Sequence, residues 1–434
     1  MVGRIGLRKA LMDALSSAHL AAAADLIGQR SSAIVLSAMS PAQPDHLLSA
    51  LIEVARRRQA ELTLIIADLE GAWRFLDATA MVDLGAGRLR LLSIAGAVPR
   101  RLAGRVDYLP NSLWDVDRLI GTRELAPDIF VARVAHGGGA AYYSYGQMIG
   151  YSASALTIAP KVGFELATDV IEYDGGGGIP LDRADVVVPA PAPAPADSSP
   201  PRALTPEQRQ IGQRIAALIP SGATLQLGLG VLPLAVIPEL VGKSDLGLHS
   251  GILPMQLQDL IGRGVITGRR KSADAGRHVA TGVMGGTVES WGSDVLLQPV
   301  SRTHDPRYLF GLERLWAVNS AYEVDLAGQV NAEFVGGVRV ASGGGQGDFA
   351  RAAHASPGGA SVLAMPSRSG RGESRIVPVL PGGHVVTTSG NDIDYVVTEF
   401  GVAVLRGRSA AERAANLLAV AHPDDRPALA VGDR

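Results

Sequence analysis

Along the chain, short runs rich in aliphatic and β-branched residues alternate with stretches of helical period. In the first half the runs are Ser32 to Ser37 (SAIVLS), Leu62 to Ala67 (LTLIIA), Leu89 to Ile94 (LRLLSI) and Asp128 to Val134 (DIFVARV). The second half repeats the style at Ala223 to Leu229, Leu312 to Asn319, Ser361 to Pro366 and Val385 to Thr388. That alternation predicts parallel strands joined by crossover helices. AIVLSAMSPAQPDHLLSAL and ATLQLGLGVLPLAVIPEL each run strand, small-residue turn, proline, helix, so the two halves read as copies of one α/β unit.

A seam separates them. From Pro189 to Pro201 proline and alanine alternate, a composition that sustains neither a helix nor a central strand, and Gly175 to Gly178 precede it. This predicts an N-terminal domain over 1–188, a linker over 189–204 and a C-terminal domain over 205–434. The opening MVGRIGLRKALMDALSSAHL lacks the apolar run and cleavage site of a secretory signal and reads as an amphipathic helix.

Composition narrows the chemistry. The 434 residues are 47% hydrophobic and 19% charged, enough for two or three folded cores. A net charge of -2 gives no basic field to draw in nucleic acid or an anionic membrane, and no stretch approaches a bilayer span. The absence of cysteine excludes disulfides, thiolate metal ligands and a cysteine nucleophile, and fits a cytoplasmic location. The bias to Ala, Gly and Arg over Lys fits a GC-rich bacterial genome. The nine histidines show no metal-ligand spacing, and neither a GxSxG elbow nor a Walker lysine occurs, so no metal is expected.

Two glycine segments are candidates for ligand contact. QLGLGVLP places Gly228 and Gly230 between a strand and a helix, where free N–H groups suit a phosphate or an oxyanion; a mere tight turn is the plainer reading. SGGGQGDF places Gly343, Gly344, Gly345 and Gln346 before a helix, where a backbone can approach a ligand and an amide can donate; a flexible loop is the alternative. His249, in DLGLHSG between a strand-like run and a helix, is either a site residue or a structural histidine. The carboxylates Glu323, Asp325, Glu333 and Glu399 read mostly as members of internal polar networks, with Arg375 and Arg406 available as partners.

Taken in order, IPSGATLQLGLG, DLGLHSG with DLIGRGVITGRRK, NSAYEVDLAGQVNAE, ASGGGQGDFARAAHAS, SRIVP, VVTTSGNDIDYVVTEFGVAVLRGRSAAERA and AVAHPDDR closely resemble the acetyl-CoA hydrolase/transferase family over roughly 205–427. GRVDYLPNSLWD extends the resemblance, more thinly, into the first half. It implies two related Rossmann-like domains of mostly parallel sheet with a cleft between them. It also implies a coenzyme A thioester as substrate or ligand, held chiefly by the C-terminal domain through Gly343 to Gln346 and Asn319, no tightly bound cofactor, and a homodimer. In that family a glutamate attacks the acyl-CoA carbonyl and becomes a glutamyl-CoA thioester.

Here the matching segment is LGLHSGI, and Gly251 stands where the resemblance places that glutamate. No glutamate occurs between Glu239 and Glu289. Glycine has no nucleophile to offer, so transfer through a glutamyl thioester is expected to be lost, while the backbone donors of the pocket remain. The expected function is therefore direct acyl transfer to an acceptor, be it water, an amine or an alcohol, or thioester hydrolysis. His249 is the expected general base, and Glu289, Asp294 and His304 are less specific candidates. The alternatives are a catalytically silent acyl-CoA-binding protein, or a conventional CoA-transferase with another nucleophile.

Overall fold

A computed structural model describes residues 16–168, 177–190, 203–285 and 291–431. These form two compact units: Met1–Ser198 with Pro299–Ser301 and Val340–Gly344, and Ser199–Gln298 with Arg302–Arg339 and Gly345–Arg434. Most of the Pro/Ala seam, Gly175, Gly176 and the first fifteen residues lie outside the described residues; of the N-terminal segment, Ser17–Ile27 is a helix capped by Ser16.

The first unit is built on β1 (Ser32–Ser37), β2 (Glu61–Asp68), β3 (Leu89–Gly96), β4 (Asp107–Tyr108), β5 (Ile129–Gly137), β6 (Tyr142–Ser144), β7 (Lys161–Leu166) and β8 (Val186–Pro189). Their order is β4-β3-β2-β1-β5-β7-β8, all parallel, with β6 antiparallel to β5. Val35, Leu64, Leu91 and Ile129 are buried in one core with Leu47, Leu48 and Leu51 of the helix Asp45–Arg58. Pro189 ends the edge strand, where a missing N–H breaks no ladder.

The second unit opens on the helix Pro206–Leu218, whose Thr205 and Gln208 form a reciprocal capping box. Its large sheet comprises β9 (Thr224–Leu227), β10 (Gly247–Pro254), β11 (His278–Met284), β12 (Val295–Leu297) and β13 (Leu315–Ser320). Four short strands follow, β14 (Glu323–Asp325), β15 (Val330–Asn331), β16 (Phe334–Val335) and β17 (Val338–Arg339); β14 pairs with β15 and with β19 (Ile376–Val377), and β16 pairs with β17. β18 (Ala360–Ala364), β20 (Tyr395–Thr398) and β21 (Gly401–Val404) complete the large sheet in the order β12-β11-β10-β9-β13-β18-β20-β21, parallel except for the final hairpin.

Both sheets thus start at a central strand, grow outward on one side, and then restart on the other. In such doubly wound sheets ligands bind beyond the carboxyl ends of the strands at the reversal, here β1/β5 and β9/β13. The parallel α/β reading of the sequence is borne out. Val385 to Thr388, expected as a strand, is irregular: Thr388 makes one isolated bridge to Val330. Among the described residues the backbone of the run meets only the two-residue β15, at Thr387 and Thr388, and propensity alone does not extend that contact into a ladder.

Candidate active site

Three neighbouring strands bring five of the candidate residues to one carboxyl edge of the second sheet. β9 runs into Gly228 and Gly230, β10 carries His249 and Gly251, and β13 carries Asn319 near its end. The order β10-β9-β13 makes these ends adjacent.

At the reversal, Gly228 donates its N–H to Val318 O at 2.8 Å, and a Cβ there would stand 2.6 Å from Asn319 Oδ1. A side chain at 228 would therefore expel Asn319. Asn319 and Gln226 form a reciprocal amide pair, with Nδ2 to Oε1 at 2.9 Å and Nε2 to Oδ1 at 3.2 Å. Both are buried, so the Asn319 amide is committed to its neighbour. Gly230 is extended and precedes a helix of six residues, Val231–Val236, with no side-chain cap. One and a half turns build little dipole, so these glycines serve the close packing of strand ends more clearly than they serve an anion.

The sequence places His249 between a strand and a helix; the structure places it inside β10, fully buried. Its Nε2–H donates to Thr303 O at 2.9 Å, a contact only the protonated nitrogen can make. Nδ1, the nitrogen left with a lone pair, is buried without a hydrogen-bond partner among the described residues. Burial lowers its pKa to about 4, with the Thr303 contact opposing and Lys271 adding to the fall. Tyr308 and Phe349 pack on the ring at centroid distances of 5.2 and 6.2 Å. This is a wedged, neutral histidine, poorly placed to shuttle a proton.

Side chains alternate along a strand, so His249 and Gly251 face the same side of β10. A Cβ on Gly251 would meet His304 Nε2 at 3.3 Å, His304 Cε1 at 3.4 Å and Phe349 Cε2 at 4.0 Å. A Cβ on Gly345 would stand 2.5 Å from His304 Nε2. The Nε2 edge of His304 therefore lies in a notch between two glycines, both only partly buried, while its own ring is 1% exposed. Phe349 meets that ring edge-on at 4.8 Å, and Thr303 Oγ1 lies 2.8 Å from Nδ1. Burial lowers the pKa of His304 to about 3, with His249 nearby adding to the shift.

Gly344 adopts φ +58°, the left-handed region that favours glycine, and accepts from Leu113 N–H at 3.0 Å. Gly345 is the N-cap of the helix Gln346–Ala355, which has no side-chain cap. Its first N–H groups and the buried Gln346 Nε2, unpartnered among the described residues, are donors at the start of a ten-residue helix. Gly343 is partly buried in the same turn, and Glu289 lies outside the described residues. Asp294 accepts from His278 N–H through its backbone carbonyl, at the start of β11.

The polar clusters beyond the site resolve into internal networks, without the expected arginines as hydrogen-bond partners. Glu333 pairs with Arg339 and Thr387, Glu323 with His384 and Asn331, Glu399 with Ser367, and Asp325 with Gln329. Arg406 pairs with Asp394, and Arg375 donates to Ala321 O. Among the described residues no group of three or more His, Asp or Glu is placed to hold a metal, and no helix is long and apolar enough to cross a membrane.

A doubly wound α/β protein with a glycine-lined notch at the carboxyl edge is the class that fold and site define. The acetyl-CoA hydrolase/transferase C-terminal domain, as a family model, matches residues 288–431. The 4-hydroxybutyrate coenzyme A transferase of Clostridium kluyveri is 35% identical over 334 residues, 75% of this chain and 77% of that protein. The succinyl-CoA:cyclohexane-1-carboxylate CoA transferase of Geobacter metallireducens is 34% identical, over 75% of each chain. Among solved structures, RipA from Yersinia pestis superposes with a TM-score of 0.83 at 32% identity, covering 98% of each chain. The 4-hydroxybutyrate CoA-transferase of Porphyromonas gingivalis does so with a TM-score of 0.75 at 27% identity, again over 98% of each. The chain belongs to the acetyl-CoA hydrolase/transferase family.

Proposed function

We propose that this protein processes acyl-CoA thioesters without a glutamyl-CoA intermediate, by direct acyl transfer to an acceptor or by thioester hydrolysis. The observation that carries the reading is Gly251: the nearest atoms to a Cβ at this position belong to His304 and Phe349, neither of which is a carboxylate. Relatives that are CoA-transferases, and an acetyl-CoA hydrolase of Eremothecium gossypii 31% identical over half of this chain, support a thioester as substrate. A second nucleophile attacks the bound thioester, with glycine-loop and helix N-terminal N–H groups as donors toward the developing oxyanion. One such donor is worth about 10²–10³-fold in rate.

The test is release of free thiol from a panel of acyl-CoA thioesters, alone and with carboxylate, amine and alcohol acceptors. Release without a covalent enzyme species supports direct attack. Binding of CoA by calorimetry with no release across the panel marks a silent acyl-CoA-binding protein.

The buried histidines also set the pH response. His249, His278 and His304 all have folded-state pKa values below the unfolded value, at about 4, 4 and 3. The unfolded chain binds the extra protons, so their contribution to stability is complete above about pH 6.5 and is lost as pH falls through the folded values. The melting temperature of the second unit is expected to fall from pH 7 to pH 5. His249→Gln, which keeps a donor for Thr303 O, is expected to flatten that fall by about one proton's linkage; an unchanged slope would contradict the assignment of His249 as buried and neutral.

A further inference from the structure

We infer that His304, held neutral, is the hydrogen-bond donor that polarises the thioester carbonyl, its Nε2–H standing in the notch between Gly251 and Gly345. The inference rests on the direct-attack reading above and assigns to it a side chain.

The geometry supplies each part. Nε2 lies 3.3 Å from the place of a Cβ on Gly251 and 2.5 Å from that of a Cβ on Gly345, so any residue other than glycine at 345 would collide with it. Gly345 has φ -94°, a conformation open to other residues, so its backbone alone does not demand glycine. The close approach of the imidazole does. Thr303 Oγ1 lies 2.8 Å from Nδ1, and the hydroxyl is taken as the donor of that bond, the arrangement that leaves the ring hydrogen on Nε2. Phe349 packs on the ring and limits its rotation. Burial without a carboxylate partner disfavours the imidazolium, so the ring serves as a neutral donor in place of a proton shuttle.

In the step itself, the acceptor's oxygen or nitrogen bonds to the thioester carbon, and the carbonyl π pair moves to oxygen, where Nε2–H meets it. Collapse breaks the carbon–sulfur bond, and the CoA thiolate takes the proton released by the acceptor. His304 keeps its proton count throughout.

The test uses the full-length protein and three variants, His304→Ala, His304→Gln and Gly345→Ala, each checked by melting temperature. The first readout is the carbonyl stretch of a ¹³C-labelled dethia acyl-CoA, a ketone that cannot be cleaved. The wild type is expected to shift this band to lower frequency than His304→Ala does, and His304→Gln, which retains an N–H donor but is no base, to preserve most of the shift. The second readout is thiol release, expected to fall about 10²–10³-fold in kcat for His304→Ala, with CoA affinity little changed and no limb of the pH profile removed. Gly345→Ala, which displaces the ring, is expected to behave like His304→Ala. An identical band position in wild type and His304→Ala, or failure of the ketone to bind, overturns the inference. So does a His304→Gln variant as slow as His304→Ala with loss of an ionisation from the profile, the behaviour of a base. A band shift that depends on His304 in a protein releasing no thiol sustains the donor and refutes direct attack.

Discussion

A Gly251→Glu variant is expected to acquire CoA transfer to acetate and to carry CoA on the new carboxylate during turnover. Gly251 has no left-handed φ, so a side chain meets no backbone strain, and its Cβ would stand 3.3 Å from His304 Nε2. That contact requires the imidazole to yield by a few tenths of an ångström, a modest cost in a packed interior. The glutamate then stands on β10, beside the strand ends where a thioester is proposed to bind. The same crowding presses on Nε2, so direct thiol release is expected to fall as transfer appears. Acetate-dependent transfer is followed by chromatography of the acyl-CoA products, and the adduct by intact mass. A folded variant with neither property would mean that the pocket has diverged beyond this one position.

An Asp394→Ala variant is expected to lose about 3 kcal/mol of stability, because it removes the anion at the centre of a buried network. Asp394 is fully buried and accepts from Arg406 Nε at 2.6 Å, Ser361 N at 2.8 Å and His354 Nδ1 at 2.7 Å. Arg406 is bound further to His354 O and Gly359 O, so its guanidinium ties the helix Gln346–Ala355, the loop before β18 and Asp394 just ahead of β20 together. Removing the carboxylate leaves these donors without their acceptor, and each orphan adds to the loss. A lowered urea midpoint at unchanged slope is the expected result, and an unaltered midpoint would show that the network is dispensable.

These two sites differ in how far they could be read in advance. Only four strands of the first half, β1, β2, β3 and β5, were legible, because their aliphatic runs are dense: Ser32–Ser37 matches to the residue. β10 and β11 were not, since GLHSGILP and HVATGVM mix glycine, histidine and small residues, and burial on both faces removes the alternation by which a strand is recognised. That Gly251 is a position of interest was legible through resemblance alone. Its contact with His304 was not, because that contact depends on how the helix Gln346–Ala355 and the turn after Thr303 pack under β10. His249, favoured on proximity in sequence, proves to be enclosed. Asn319 and Gly228 stand at the expected strand ends, yet their side-chain space is filled by each other and by Gln226.

Intact-mass analysis of the wild-type protein, acid-quenched during turnover of an acyl-CoA at limiting acceptor, bears most directly on direct attack. Free thiol accumulating while the protein keeps its unmodified mass is the predicted result. A species heavier by CoA or by the acyl group, formed and consumed at the rate of turnover, would contradict it.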